Sequence, residues 1–197
     1  MRHSGNELIN PFKTLERAGL LEGDTVADLG AGALGHFVFP AAQMVGANGR
    51  VYAIDIDKNA LKAIDRTSKH EQYWNVTPVW SDIEVLRAAR VRDGSCQLVI
   101  VANNLYLSQN RAGLVAEAMR LCAPGGRIMM IEWQACRTAI GPAPERRMPV
   151  HEAKRYFADP ELKLVDEFDA GDCHYALLYQ KKGRPDRSVE IVNQPAV

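Results

Sequence analysis

The chain is poor in several things, and each lack narrows the reading. It has four cysteines among 197 residues, Cys96, Cys122, Cys136 and Cys173, and no C-x-x-C pair. That argues against a zinc knuckle or a thioredoxin-type dithiol, and cysteines this far apart read as reduced, buried thiols. There is no excess of either charge, with 24 Lys plus Arg against 24 Asp plus Glu. The chain as a whole gives no electrostatic case for nucleic acid or an anionic membrane. No apolar run is long enough to span a bilayer. The opening stretch MRHSGNELINPF lacks the apolar core of a signal peptide. These features point to a cytoplasmic protein. The five histidines, His3, His36, His70, His151 and His174, form no pair at metal-ligand spacing, so no metal is expected. Repeats and low-complexity segments are also missing.

What is present is an alternation of elements. Helical spacing runs from Asn6 to Gly19, with Pro11 as a break or a first-turn residue. DTVADL reads as a buried strand, then a glycine loop, then a helix over 37–45. VYAID is a second strand, 58–69 a helix, and NVTPVW a third strand that Pro78 pushes to an edge. SDIEVLRAA would start a helix capped by Asp82. CQLVIVAN is a fourth strand, 111–121 a helix closed by the turn APGGR, and IMMIEW a fifth strand. Such alternation predicts a parallel sheet with helices on both faces. The last third departs from it. The stretch 134–150 is rich in Pro and Arg and reads as a lid loop, followed by a short helix in HEAKRYFAD. LKLVDEF and HYALLYQ are strands joined only by DAGDC, too short for a parallel crossover, so they pair antiparallel. The expected organisation is a single domain over 1–182 and a loose tail over 183–197.

The chemistry sits at the strand ends. VADLGAGALGHF carries G-x-G-x-x-G at Gly30, Gly32 and Gly35, with Asp28 just before it. Asp55 ends the second strand and Asp82 follows the third. In an open parallel sheet, ligands bind beyond the carboxyl ends of the strands. A carboxylate ending the second strand suits ribose hydroxyls, and the glycines let a ligand approach the backbone. An acidic residue at the neck of the loop would repel a pyrophosphate but suit an ammonium group. Ribose, carboxylate and ammonium together describe S-adenosylmethionine.

These stretches, with GRVYAIDIDKNAL and APGGRIMMIEW, resemble the motifs of class I S-adenosylmethionine-dependent methyltransferases over about 25–133. The closest likeness is to the small group similar to ubiquinone/menaquinone-biosynthesis C-methyltransferases, whose lid IEWQACRTAIGPAPERRMPVHEA resembles. The resemblance implies a Rossmann-like, doubly wound, seven-stranded, mostly parallel α/β sheet with an antiparallel last strand, in three α/β/α layers. It implies that Gly30, Ala31 and Gly32 pass under the methionine part, with Asp28 below. Asp55 would hold the ribose, Ile56 an adenine face, Asp82 and the Ile83 backbone the adenine edge. The Asn103 carbonyl would approach the methionine amino group. Two departures stand out: Gln97 replaces an Asp early in strand four, and His36 follows Gly35.

Methyl transfer from a sulfonium needs alignment and exclusion of water, and a base only where the acceptor must lose a proton. His36, Tyr106 and Glu132 are the candidates for that base. Tyr106 and Trp133 follow strand ends near the expected transfer point, and Arg146 and Arg147 in the lid could clamp an acidic acceptor or be merely solvated. ANNLY lacks the Asn/Asp-Pro-Pro-aromatic run of many nucleic-acid and protein N-methyltransferases, so a small-molecule acceptor is favoured. Two alternatives stay open. One is an NAD(P)-dependent oxidoreductase, although no tyrosine has a lysine four residues later as in short-chain reductases. The other is a non-catalytic protein that only binds the cofactor and a partner.

Overall fold

Parallel strands must be joined by crossovers that lie on the sheet faces, and the hydrophobic pattern of this chain supplies helices to do so. The computed structural model describes residues 9–136 and 141–183. Its elements are α1 (Pro11–Arg17), β1 (Thr25–Leu29), α2 (Val38–Val45), β2 (Arg50–Asp55), α3 (Lys58–His70), β3 (Val76–Trp80), β4 (Cys96–Ala102), α4 (Arg111–Leu121), β5 (Cys122–Trp133), α5 (Val150–Tyr156), β6 (Leu162–Gly171) and β7 (His174–Lys181). The sheet order is β3-β2-β1-β4-β5-β7-β6. Only β7 runs against the direction that the other six strands share. The expected seven-stranded, doubly wound, three-layer architecture is therefore the observed one.

The inner strands β1, β4, β5 and β7 are buried on both faces, and successive residues alternate between two cores. In β4, Leu98 and Ile100 face α1, α2 and α3, with Leu15, Val38, Ile64 and Met129. Val99 and Val101 face α4 and α5, with Leu114, Met130 and Phe157. Helices α1, α3 and α4 start where short polar side chains hold free N–H groups. Asp57 accepts from the Asn59 amide at 2.8 Å, and Asn110 from the Gly113 amide at 3.0 Å.

Several boundaries differ from expectation. The first helix spans 11–17, not 6–19: Asn10 is its cap, accepting from the Lys13 amide, and Pro11 takes the first turn, where a missing N–H costs nothing. Residues 6–8 of the expected helix lie outside the described residues. SDIEVLRAA forms turns, with no helix there. Asp82 accepts from the Glu84 amide at 2.9 Å, but the Arg87 amide is drawn to buried Glu117 at 2.8 Å. Arg87 then sits at φ +66, which a helix does not allow. APGGR lies inside β5, whose pairing to β4 shifts register between Cys96 and Leu98. The β6–β7 turn is shorter than DAGDC, because Gly171 already pairs with His174. Gln97, in the place of the family's Asp, accepts from the Thr25 amide at 2.9 Å and so ties β4 to β1. Most of the tail, 184–197, lies outside the described residues.

The reading of four reduced cysteines needs correction. Cys96 and Cys122 are free and buried, but Cys136 and Cys173 form a disulfide with Cα atoms 5.2 Å apart. Pairing of β5 with β7 sets Trp133 opposite His174, and this carries the two sulfurs together across 37 residues of sequence. The bond fastens the segment after β5 to the β6–β7 turn. Arg147 stitches the same segment: its guanidinium donates to the carbonyls of Gln134, at 2.8 Å, and Pro142, at 3.1 Å. Arg146 is exposed.

A cross-link closing a loop of 37 residues restricts the unfolded chain by about 3–4 kcal/mol on chain-entropy grounds. The double variant C136S/C173S is expected to lose much of that in urea unfolding, and wild-type protein should lose the same amount in reductant. Equal midpoints for oxidised and reduced protein would show that the bond adds no stability.

Candidate active site

The sheet reverses its direction of growth between β1 and β4, and a crevice opens there beyond the strand ends. One wall is the glycine loop. Gly30, Gly32 and Gly35 adopt φ of +80, +63 and +56, values that side chains rarely tolerate. Gly30 has a second reason to be glycine: a Cβ there would collide with the Asn104 amide. The Gly30 and Ala31 amides donate to the Ile54 carbonyl at 2.8 and 3.1 Å. The Gly32 amide donates to Asp55 Oδ2 at 2.8 Å, while Asp55 Oδ1 accepts from the Asp57 amide at 2.8 Å. Asp55 thus fixes the loop and still has lone pairs for two hydroxyls.

A cavity of about 170 Å³ lies behind this loop, lined by Ile9, Asp28, Gly30, Ala31, His36, Phe37, Ala102, Asn103, Trp133 and His174. A larger hollow, about 420 Å³, lies near Arg50, Trp74 and Asn75, at the starts of β2 and β3. That is the wrong end of a parallel sheet for a ligand. Asp28 is 3% exposed and has no hydrogen-bond partner among the described residues. Burial, and then the Asp55 charge, push its carboxyl up to about 7.

Three other polar atoms around the cavity are buried and unpartnered: His36 Nε2, Asn103 Oδ1 and His174 Nδ1. Buried polar atoms are nearly always paired, so three together in one place call for an explanation. Asn103 sits at φ +56 and its Nδ2 lies 3.2 Å from His174 Nε2. His174 packs on Trp133 with ring centroids 4.1 Å apart. Burial, helped by His36 and Arg147, lowers His174 to about 4. Burial also lowers His36, against a hydrogen bond to the Ile9 backbone.

The remaining expected residues are spread along the rim. Ile56 is 61% exposed beside the loop, and the Trp80 indole donates to its carbonyl at 3.0 Å. The ammonium of Lys58 covers the Trp80 ring at 4.2 Å. Asp82 is half-buried and Ile83 turns its side chain into the core under α4. Tyr106 and Glu132 lie apart from the cavity. Glu132 is fully buried on the other face of the sheet, where Oε1 accepts from the Tyr106 amide at 3.1 Å and desolvation raises it to about 7. The crevice thus brings together Asp28, Gly30, Ala31, Asn103 and His36, with Gly32 and Asp55 joined to them through the loop.

Two residues that sequence reasoning passed over prove central to this geometry. Asn104 donates from Nδ2 to the carbonyls of Ala102, Leu29 and Gly30 at 2.8, 3.0 and 3.3 Å, which joins the ends of β1 and β4. In the sequence His174 stands out only as one of five histidines without metal-ligand spacing. The available signal was the antiparallel pairing of the last strands, which brings its neighbourhood back to Trp133.

These residues fit S-adenosylmethionine. A Cβ at Gly32 would meet nothing within 4 Å, so the backbone there is bare towards the crevice. Asp28 and Asn103 Oδ1 offer acceptors to an ammonium, and exposed Ile56 offers a flat apolar face beside Asp55.

Comparison with known proteins agrees. The family model for a methyltransferase domain matches residues 20–170. An arsenite methyltransferase from Aquipseudomonas alcaligenes is 31% identical over 122 residues, covering 60% of this chain and 35% of that protein. A demethylmenaquinone methyltransferase from Lactococcus lactis is 28% identical over 120 residues, covering 61% of this chain and 46% of its own length. The matched part thus spans between a third and a half of these relatives. The crystal structure of a SAM-dependent methyltransferase from Aquifex aeolicus superposes with a TM-score of 0.82 at 24% identity, covering 91% of this chain and 93% of that one. That last likeness is one of fold. The matched span, the strand order and the glycine loop joined to Asp55 make this chain a member of the methyltransferase domain family, of the class I S-adenosylmethionine-dependent kind.

Proposed function

We propose that the chain transfers a methyl group from S-adenosylmethionine to a small-molecule acceptor. The observation that carries this is the cavity behind the glycine loop, where Asp28 lies within one enclosure with His36, Trp133 and His174. The cofactor, when bound, supplies an electrophilic methyl on sulfur. The chain's part is to hold and orient. Asp55 accepts from ribose hydroxyls, Ile56 packs against the adenine, and Asp82 with the Ile83 backbone meets its edge. Gly30, Ala31 and Gly32 admit the methionine part, whose ammonium is taken by Asp28 and Asn103. The apolar wall of Ile9, Phe37 and Trp133 keeps water from the reacting centre. A cytoplasmic location fits a small-molecule enzyme, and there the Cys136–Cys173 bond would face reducing conditions. A nicotinamide cofactor is disfavoured by Asp28, which would meet its pyrophosphate.

Calorimetric titration with S-adenosylhomocysteine tests the reading, with NADH in a parallel cell. Micromolar binding of the first and none of the second is expected. Asp55→Ala should weaken S-adenosylhomocysteine by at least about tenfold, roughly the worth of one charge-assisted hydrogen bond, with the fold intact but a lower melting point, because the Gly32 and Asp57 amides lose their acceptor. NADH binding alone would move the chain to the oxidoreductases.

Asp28 gives a second test, with a definite sign. Its carboxyl is raised from 3.8 to about 7, so the folded state holds the proton more tightly than the unfolded chain. On this group's account, stability falls as pH rises from about 4 to about 7 and is level above that. Asp28→Asn removes the penalty, so at pH 8 it should melt no lower than wild type. Its affinity for S-adenosylhomocysteine should drop about tenfold at pH 8 and less at pH 6, where the wild-type carboxyl is mostly neutral. An equal drop at both values would refute a charge on Asp28 as the ammonium partner.

A further inference from the structure

The Cys136–Cys173 bond adjoins the cavity, and methyl transfer makes no use of it. The ladder between β5 and β7 ends where Trp133 faces His174, and both residues line the cavity. One step further on, the Gln134 amide donates to the Cys173 carbonyl at 2.9 Å. The disulfide closes just beyond that bond, directly before His174. Trp133 packs on the His174 ring, with centroids 4.1 Å apart, and on Gly141, where a Cβ would strike the indole. The cross-link therefore fastens together the segments that hold this wall of the cavity.

Its two sulfurs are not equivalent. Cys136 is half-buried, whereas Cys173 is 5% exposed. Arg147 Nη1 lies 3.4 Å from Cys136 Sγ. The same guanidinium donates to the Gln134 and Pro142 carbonyls, which hold it there whether or not the sulfurs are joined. An attacking thiolate reaches the more exposed sulfur, and a neighbouring cation stabilises a thiolate that leaves. Cys96 and Cys122 are the contrast. Both are buried, and burial pushes their thiols up to about 11 and about 12, so they are inert.

We propose that Cys136 and Cys173 form a reversible redox site, opened by a dithiol and closed again by a disulfide oxidant, whose state sets how firmly the Trp133 wall is held. One thiolate of the dithiol attacks Cys136 Sγ. The Cys136–Cys173 bond breaks, its electron pair leaves on the Cys173 sulfur, and that sulfur takes a proton. A mixed disulfide now joins Cys136 to the reductant. The second thiol of the reductant loses its proton and attacks its own sulfur in that mixed disulfide. Cys136 leaves as a thiolate beside Arg147, and the reductant departs as its cyclic disulfide. The dithiol gives up two electrons and two protons in all. One proton goes to Cys173, and the other goes to water while Arg147 keeps Cys136 ionised. Closing runs the other way, with the Cys136 thiolate as attacker. The bond steadies the fold, so the fold steadies the bond, and a monothiol is a weak reductant for it. A dithiol completes the second step within one molecule. Once the bond is open, hydrogen bonds alone join β5 to β7 at this end. The wall of Trp133 and His174 then loosens around the cavity.

Oxidised protein is treated with dithiothreitol, without urea, then alkylated with iodoacetamide, and the modified cysteines are identified by peptide mass. Cys136 and Cys173 should be released in the folded protein, with Cys96 and Cys122 unmodified, and glutathione disulfide should restore the bond. In the reduced protein Cys136 should be alkylated ahead of Cys173, with a pH midpoint below the ordinary thiol value of about 8.5, and R147Q should raise that midpoint. If R147Q does not fold, the wild-type midpoint and the order of the two cysteines decide. Exchange of the Gln134 amide should quicken on reduction. S-adenosylhomocysteine should bind about fivefold more weakly to the reduced protein, a coupling of ordinary size between two sites. C136S/C173S should match the reduced protein and ignore dithiothreitol. A bond that opens only in urea, Cys173 modified before Cys136, or a midpoint that folded R147Q leaves unmoved would overturn the redox site. Gln134 exchange or S-adenosylhomocysteine affinity that is the same in both states would overturn its hold on the cavity. Only the affinity arm rests on the methyltransferase reading. If neither state binds S-adenosylhomocysteine, that reading fails, and the thiol and amide measurements still decide this proposal.

Discussion

The site depends on how the ends of β1 and β4 are held apart and yet joined. Strands that diverge at a switch point leave carbonyls without ladder partners, and buried carbonyls need donors. The Asn104 side chain supplies them, reaching Leu29, Gly30 and Ala102 at once. A lysine or leucine could not bridge three carbonyls from this position, because the bridge needs a short side chain ending in a planar donor. Once the amide is there, Gly30 can carry no Cβ. The loop then swings up, and the Gly32 amide meets Asp55. Asp55 and the ends of β1 and β4 are thus linked through the loop backbone, so the crevice keeps its shape by bonds that a ligand need not supply.

Electrostatics divides the crevice. Among the described residues Asp28 is the one carboxylate lining the cavity, and its burial costs the folded state stability at neutral pH. A cationic group beside it would recover that cost, because an opposite charge nearby favours the ionised form. The imidazole end is the reverse. Burial lowers both of its imidazoles, and Arg147, 5.8 Å from the Trp133 ring, is held by the carbonyls of Gln134 and Pro142. One end is therefore suited to a charged ligand and the other to an uncharged one. This asymmetry is what a transferase needs where a charged donor meets a neutral acceptor.

Much of this was legible in the sequence, for identifiable reasons. The parallel strands are continuous apolar runs, and G-x-G-x-x-G with Asp55 in register is a local pattern that needs no tertiary knowledge. The misreadings came where distant residues overrule local preference. SDIEVLRAA has the cap and composition of a helix, yet the Arg87 amide is drawn to Glu117, thirty residues along the chain. Cys136 and Cys173 have no motif between them and meet only because β7 returns beside β5. Asn104 gave no signal for the same reason, since the Leu29 carbonyl it holds is 75 residues away.

One misplacement could have been caught from the period of a strand alone. Glu132 and Trp133 are consecutive in β5, so their side chains point to opposite faces and cannot share a cavity. Trp133 joins Asp28, Ala102 and His174 on the side of α1 and α2, while Glu132 points towards α4 and α5 and accepts the Tyr106 amide. There it anchors the loop that follows β4, the same loop in which Asn103 and Asn104 are set. Its burial leaves Oε2 without a partner, a cost that is sustained because moving Tyr106 would move both asparagines. Glu132 thus bears on the site through backbone position, from the face of the sheet opposite the cavity.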